Sequence, residues 1–163
     1  ALWVDPYSEN LVARGFEFQG KTDCKIELLT AFEAFEHFVK PAEEMTDLLS
    51  VSTNILLTTT LAPLPTPLPK DWWYYGFDHG QHIGFYRVRT LQYLADRFGL
   101  NLLTDGVSTH FFSAKKYSYF VWKTYMRAAS LMPKLFALGL PSKTWSDHLE
   151  ISMFNDSLNS IRR

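Results

Sequence analysis

Residues 25–41 (KIELLTAFEAFEHFVKP) constrain the fold of this chain more than any other stretch. The run from Ile26 to Phe32 has the length, and the β-branched and aromatic content, of a buried strand. Polar side chains follow it directly, at Glu33, Glu36 and His37. Pro41 then stands where a helix can begin. Ligands bind beyond the carboxyl ends of parallel strands in an open α/β sheet, so this pattern predicts one edge of a ligand site. The alternative is an ordinary buried strand with a polar end.

From residue 42 onward the chain alternates between helical and strand patterns. Apolar residues at helical spacing mark the helices, and β-branched or aromatic runs mark the strands. In order, the predicted elements are a helix over 42–50, a strand over 51–61, a helix over 91–98, and paired strands over 100–104 and 107–113. Residues 62–70 hold four prolines, which exclude a helix or an inner strand and predict an extended loop.

Two sequence blocks resemble class I S-adenosylmethionine-dependent methyltransferases. Residues 30–37 (TAFEAFEH), followed by Pro41, are similar to a signature of that family. Residues 71–86 (DWWYYGFDHGQHIGFY) resemble a block in a branch of the superfamily that is often found in sugar and glycan contexts. The resemblance implies a Rossmann-like α/β fold with a mostly parallel sheet and an antiparallel last strand. It also implies S-adenosyl-L-methionine as the cofactor.

Residues 1–7 are predicted to include a contact with the ribose of the cofactor. Residues 1–5 have the pattern of an apolar strand that ends in a carboxylate, and residues 15–18 alternate like a second, brief strand. In nucleotide-binding α/β folds, a carboxylate at such a strand tip accepts hydrogen bonds from both ribose hydroxyls. Asp5, Pro6 and Tyr7 resemble the family tripeptide at this tip, which implies that they bind the cofactor. An Asp before Pro is also a common turn residue.

The resemblance implies a second set of cofactor-binding residues around the strand end after residue 32. They are Ala31, Phe32, Glu33, Glu36 and His37. Glu33 would lie beside the methionine part of the cofactor, and Glu36 with His37 would order the site. A local salt bridge or a helix cap explains the last two residues at least as well.

The aromatic block predicts contacts with the methyl acceptor. Trp72, Trp73, Tyr74 and Tyr75 could stack on a sugar or shield the sulfonium through cation–π contacts. They could equally form a hydrophobic lid that packs on the sheet.

Two histidines in the same block are candidate catalytic residues. The cofactor brings its own activated methyl group, so the protein has to position the acceptor and, for a hydroxyl or an acidic carbon, supply a base. His79 and His82 are the candidates for that base. The alternative is that each orders the loop through hydrogen bonds, and His82, which precedes the apolar Ile83, fits this alternative better.

The glycine-rich loop and first strand of the family have no counterpart in this sequence. Those glycines let backbone amides approach the cofactor closely. We therefore expect a methyltransferase domain over residues 1–116 that lacks its first strand–loop–helix unit, and poor cofactor binding by this chain alone. Residues 117–163 are predicted to form a helical extension that packs on the domain or at an interface. A degenerate, non-catalytic fold that dimerises through this extension is the competing hypothesis.

Composition excludes several classes of partner. The 16 basic and 17 acidic side chains are scattered and give a net charge of −1, so no nucleic acid or membrane partner is expected. The single cysteine, Cys24, excludes an internal disulfide. With no signal peptide and no long apolar run, we predict a cytoplasmic protein. The resemblance implies a small-molecule or glycan substrate. No metal site is predicted.

Overall fold

A four-stranded mixed sheet is the main feature of the computed structural model. The structure describes residues 2–5, 10, 15–20, 25–78, 82–136, 138, 145–146 and 149. The chain divides into two compact units, one of residues 26–130 and one of residues 1–25 with 131–163. The sheet belongs to the first unit.

The four strands are β1 (Leu29–Phe32), β2 (Asn54–Thr58), β3 (Asn101–Thr104) and β4 (Thr109–Ser113), in the spatial order β1-β2-β4-β3. β1 pairs with β2 in parallel, and β4 runs antiparallel to both β2 and β3. Three strands therefore point the same way, and the last strand in sequence is the antiparallel one. This confirms the predicted α/β class and the antiparallel last strand, although the described sheet is mixed, with one parallel and two antiparallel pairings.

Three larger helices accompany these strands: α1 (Pro41–Val51), α2 (Val88–Arg97) and α3 (Tyr119–Leu131). A one-turn helix, α4 (Pro133–Phe136), follows in the second unit. Pro41 occupies the first turn of α1, where its missing N–H costs nothing, and two acidic residues follow it there. Short 3-10 turns at residues 35–37, 69–71 and 73–75 shape the loops after β1 and β2.

The hydrophobic core of the sheet unit is built from alternate strand residues and the inner faces of α1 and α2. Ile55 and Leu57 of β2 are 0% exposed and lie opposite Phe112 and His110 of β4. The fully buried helix residues are Met45, Leu91 and Ala95. Because side chains alternate across a strand, the same pleat that buries Ile55 and Leu57 keeps their neighbours half-buried.

The four strands predicted from residue 26 onward are confirmed in place but are shorter than predicted. β1 starts at Leu29 rather than at Ile26, because its partner β2 starts at Asn54 and the parallel register pairs Leu29 with Ile55. Leu28, beyond that register, is 48% exposed. β2 cannot start earlier, because α1 extends to Val51.

The strand predicted over residues 1–5 is not present as a regular strand in the described residues 2–5. Trp3 makes a single parallel bridge with Glu17, in which the Trp3 amide donates to Phe16 and the Phe18 amide donates to Trp3. Leu2 and Val4 are 50% and 67% exposed. A single pair of strands whose faces are not packed against other residues buries too little apolar surface to form a longer ladder. The brief strand predicted over residues 15–18 is likewise present only as this bridge.

No helix in the described part of the chain is both long and apolar enough to cross a membrane. α3 buries none of its residues, although Trp122 stacks on Phe111 of β4 at 5.9 Å between ring centroids.

Candidate functional site

The candidate site lies at the carboxyl ends of β1 and β2. Glu33 follows β1 directly and has a φ of 49°, in the left-handed region that non-glycine residues rarely adopt. Its amide is held there by two acceptors of Thr58, the carbonyl at 3.1 Å and the side-chain hydroxyl at 3.0 Å. A strained residue fixed by its surroundings at a strand tip is a common feature of ligand sites.

The 3-10 turn after Glu33 directs two successive side chains inward. Phe35 and Glu36 are both 0% exposed. The Phe35 ring packs with Phe38 and Phe112 in the core. The Glu36 backbone carbonyl accepts hydrogen bonds from the amides of Ile83 and Gly84, each at 2.8 Å. These bonds attach the loop segment of residues 82–87 to the turn after β1.

Gly84 and Tyr86 explain how closely that loop approaches the turn. A Cβ atom at Gly84 would lie 3.3 Å from the Phe35 carbonyl oxygen and 3.2 Å from the Tyr86 hydroxyl, so a larger residue would require its neighbours to shift by a few tenths of an ångström. The Tyr86 hydroxyl donates to the same Phe35 carbonyl at 2.9 Å. Burial raises the pKa of Tyr86 to about 12, which keeps this donor protonated.

The side chain of Tyr74 links the two strand ends. Its hydroxyl donates to Glu36 Oε1 at 2.7 Å and lies 3.1 Å from the hydroxyl of Thr59, the residue after β2. Glu33 Oε2 lies at the longer distance of 3.5 Å. Burial raises the pKa of the Tyr74 phenol well above its ordinary value, and the neighbouring Glu36 carboxylate adds to that rise. Tyr74 therefore stays protonated as a donor to the carboxylate.

The carboxylate of Glu36 is only partly satisfied by this contact. Its Oε2 atom is buried and has no hydrogen-bond partner among the residues that the structure describes. Buried polar atoms are almost always paired, so an unpaired carboxylate oxygen marks a position where a donor or a cation can bind.

His82 completes the cluster from the other side of Tyr74. Its Nδ1 lies 2.7 Å from the Tyr74 backbone carbonyl. A carbonyl only accepts, so Nδ1 carries the proton and Nε2 of the neutral ring has a lone pair. The ring meets His37 edge-on at 5.1 Å between centroids. Gly76, with a φ of 61°, turns the chain beside His82.

A cavity of about 850 Å³ opens next to this cluster. The residues that line it are Pro69, Lys70, Asp71, Trp72, Trp73, Gly76, Phe77, Asp78 and His82. Trp73 is 79% exposed, whereas Trp72 is half-buried and packs edge-on against Tyr75 at 4.9 Å. The proline-rich loop supports this wall, because the Tyr75 hydroxyl donates to the Pro67 carbonyl at 2.9 Å.

The structure brings together five of the residues predicted for the site: Glu33, Glu36, His37, Tyr74 and His82. Ala31 is buried in the core, and Phe32 is 55% exposed at the end of β1. Trp72 and Trp73 border the cavity, whereas Tyr74 is 1% exposed and Tyr75 packs behind them. Asp5 belongs to the other unit, and Pro6, Tyr7 and His79 lie outside the described residues. The binding and catalytic roles of all these residues stay predictions.

Sequence reasoning missed Thr59 and Tyr86. Thr59 stands directly after β2, in the position that Glu33 has after β1, and its side chain is 0% exposed. The strand was predicted to extend to residue 61, so Thr59 lay inside it and could not be recognised as a polar residue after a strand; the observed β2 ends at Thr58. Nothing in the sequence indicates that Tyr86 bonds back to residue 35.

Comparison with known proteins gives one match. A family model described as "Methyltransferase domain" matches residues 1–105. No curated protein and no solved structure matches the chain.

Proposed function

Because this chain belongs to the methyltransferase-domain family, we propose that it transfers a methyl group from S-adenosyl-L-methionine to a small-molecule or sugar acceptor. The observation that carries this proposal is the polar cluster at the carboxyl ends of two parallel strands, where α/β sheets bind their ligands. The family match gives the reaction class, and the cluster indicates where on this chain the reaction would take place.

Two residues predicted from the sequence are proposed to bind different parts of the cofactor. S-adenosyl-L-methionine supplies an activated methyl group when it is bound. Glu33 presents an exposed carboxylate at the end of β1, which suits the amino group of the methionine part. Asp5 is the residue proposed for the ribose hydroxyls, because a carboxylate accepts from two vicinal donors at once.

The aromatic wall of the cavity supports a sugar as the acceptor. Trp72 and Trp73 both border the cavity, and the large exposed face of Trp73 can stack on the apolar face of a sugar ring. Lys70, Asp71 and Asp78 provide charged hydrogen-bonding groups on the same wall. His79 and His82 remain the candidates for the base that would accept the acceptor's proton.

Calorimetric titration with S-adenosyl-L-methionine tests the proposal. The complete gene product is used, so that any glycine-rich segment encoded upstream is included. Asp5→Ala should weaken binding about tenfold to a few hundredfold, because it removes two charge-assisted hydrogen bonds of roughly 1.5–3 kcal/mol each before water compensates. Glu33→Ala should also weaken binding, and Asp5→Asn should cost less than Asp5→Ala.

Glu43→Ala is the matched control for these variants. Glu43 is an exposed carboxylate on α1 whose partner is Lys40, at 3.0 Å. Its removal should leave cofactor affinity unchanged. Affinity that is unchanged in both Asp5→Ala and Glu33→Ala would show that the cofactor binds elsewhere or not at all.

A further inference from the structure

We propose that Glu36, His37 and His82 form a binding site for one divalent transition-metal ion. Each side chain offers one ligand atom, and these atoms all lie within 4.8 Å of one another. Ligands about 2.0 Å from a tetrahedral metal stand roughly 3.3 Å apart, so small side-chain rotations close the group around an ion. This inference goes beyond methyl transfer, and it does not depend on the bound cofactor.

The buried carboxylate of Glu36 is the first argument for the ion. Glu36 is 0% exposed, and its Oε1 atom already accepts from the Tyr74 hydroxyl. Its Oε2 atom is buried with no hydrogen-bond partner in the described part of the chain. A carboxylate that is removed from water and left half-satisfied is costly, and a cation at the second oxygen offsets that cost.

The tautomer of His82 is the second argument. Its Nδ1–H donates to the Tyr74 carbonyl at 2.7 Å, which leaves the Nε2 lone pair as the donor to a metal. Histidine ligands in metal sites characteristically donate their other ring N–H to a carbonyl or carboxylate, which fixes the ring and raises its basicity. Tyr74 thus supports two ligands at once, Glu36 through its hydroxyl and His82 through its carbonyl.

The ligand set and its surroundings indicate the kind of metal. Two imidazoles and one carboxylate suit Zn²⁺, Fe²⁺ or Co²⁺, whereas Mg²⁺ and Ca²⁺ prefer oxygen ligands alone. Three protein ligands leave at least one coordination position open, as in catalytic sites. His82 also lines the cavity, so a small oxygen-bearing molecule in the cavity can reach that open position.

The proposed ion changes the role available to His82. A histidine whose Nε2 binds a metal cannot also accept a proton there while its Nδ1–H is committed to Tyr74. Metal binding and general-base catalysis by His82 are therefore mutually exclusive.

Metal titration of the chelator-treated protein tests the proposal without any need for activity. Zn²⁺ is followed by calorimetry, and Co²⁺ is followed by its visible d–d absorption. We expect one ion per chain. His37→Gln and His82→Gln should each weaken binding at least about a hundredfold, because losing a ligand costs more than the 10–100-fold typical of outer-shell changes. Tyr74→Phe, an outer-shell change, should fall within that 10–100-fold range.

Two further variants make the result specific. Glu43→Gln, an exposed carboxylate on α1, should bind the metal like the unmodified protein, which excludes general surface binding. Glu33→Gln should keep its metal affinity even if it loses cofactor affinity, so the metal proposal and the methyltransferase proposal can fail separately. Circular dichroism confirms that each variant is folded. Absence of a one-to-one complex, or equal affinity in His37→Gln, His82→Gln and the unmodified protein, would overturn the proposal.

Discussion

Tyr74 connects three segments of the chain through two of its atoms. The hydroxyl contacts Glu36 after β1 and Thr59 after β2, and the backbone carbonyl accepts from His82 in the following loop. The residue is 1% exposed, so water cannot replace these contacts. At the residue scale, the geometry of the candidate site therefore depends on one buried phenol.

Replacing Tyr74 with Phe should destabilise the protein by about 1–3 kcal/mol, because it leaves the buried Glu36 carboxylate without its donor. Tyr75→Phe is the matched control: its hydroxyl donates to a loop carbonyl at 2.9 Å, and the residue is only half-buried. It should cost less than about 1 kcal/mol. Denaturant unfolding in the presence of a chelator measures both free energies of unfolding. Equal losses in the two variants would mean that Glu36 does not depend on Tyr74.

His110 should make stability depend on pH. It is 0% exposed, its Nε2 donates to the Thr59 carbonyl at 3.1 Å, and its Nδ1 lies 2.7 Å from the Thr104 hydroxyl. Burial lowers its pKa below the ordinary 6.5, although the Thr59 hydrogen bond and the charge of Asp105 oppose this. The unfolded chain therefore binds a proton more readily than the folded chain.

It follows that the free energy of unfolding should decrease as the pH falls below about 6.5, by at most about 1.4 kcal/mol per pH unit from this group. The decrease should stop once the pH is below the folded-state pKa. His110→Gln should be less stable at pH 7 but should lose this part of the pH dependence. Urea unfolding of the unmodified protein and of His110→Gln between pH 5 and 7 measures this pH dependence. If the free energies of unfolding of the two proteins change with pH in parallel, the assignment to His110 is wrong.

The spacing of Glu33, Glu36 and His37 after an apolar run was enough to predict that these residues lie together beyond the end of one strand, and their binding of a ligand stays a prediction. The sequence could not show that Tyr74 turns away from the cavity while Trp73 turns toward it, since both are aromatic members of one run. That difference depends on a buried partner 38 positions away, Glu36, and no local pattern encodes such a contact.

At the scale of elements, the β3–β4 hairpin is closed by one carboxylate. Asp105 Oδ1 accepts from the amides of Val107, Ser108 and Thr109 at 2.8, 2.9 and 3.0 Å. Burial pushes the pKa of Asp105 up, but the hydrogen bonds from these amides outweigh it and leave the pKa below its usual range. Gly106, at a φ of 79°, makes the turn that presents the three amides.

Asp105→Ala should lower the free energy of unfolding by roughly 1–2 kcal/mol, since three amides lose a charged acceptor but water can reach this exposed turn. Asp96→Ala is the control, because Asp96 is an exposed carboxylate on α2 that accepts a single bond from Gln92 at 2.8 Å. It should change stability by less than about 0.5 kcal/mol. Thermal unfolding compares the two, and a smaller loss for Asp105→Ala than for Asp96→Ala would contradict the role of the turn.

Local periodicity predicted which elements exist, because helical and strand spacing are properties of short windows. The β3–β4 hairpin was predicted in the same way, as two paired strands. The pairing of β4 with β2 was not predicted, since it joins Ile55 to Phe112 across more than fifty residues. The predicted ends of the strands were also wrong, because pairing with the partner strand, and not the strand's own composition, sets where a strand ends.

At the scale of the whole molecule, the family match ends at residue 105, before β4 begins at Thr109. β4 lies between β2 and β3, so a chain without it lacks an interior strand. We expect a fragment of residues 1–105 to unfold without a cooperative transition, because β2 and β3 lose their shared ladder and the core loses Phe112.

A fragment of residues 1–130 is the control, since it keeps β4 and nearly all of α3. It should melt cooperatively by circular dichroism, and its amide signals in nuclear magnetic resonance should be well dispersed. A cooperative melt of the 1–105 fragment at the temperature of the 1–130 fragment would show that β4 is dispensable.

The interior position of the last strand also has a consequence for synthesis on the ribosome. Chains emerge from the ribosome amino terminus first, so β1, β2 and β3 all leave the exit tunnel before β4 does. During that interval the edges of β2 and β3 that β4 will occupy have no partner from the finished sheet, and the side chains that β4 will cover are uncovered. Unpaired edges are where nascent chains associate with one another or recruit chaperones. A translational pause that falls after β3 has emerged from the ribosomal exit tunnel and before β4 has emerged therefore prolongs the most aggregation-prone stage, whereas the same pause once β4 has emerged does not.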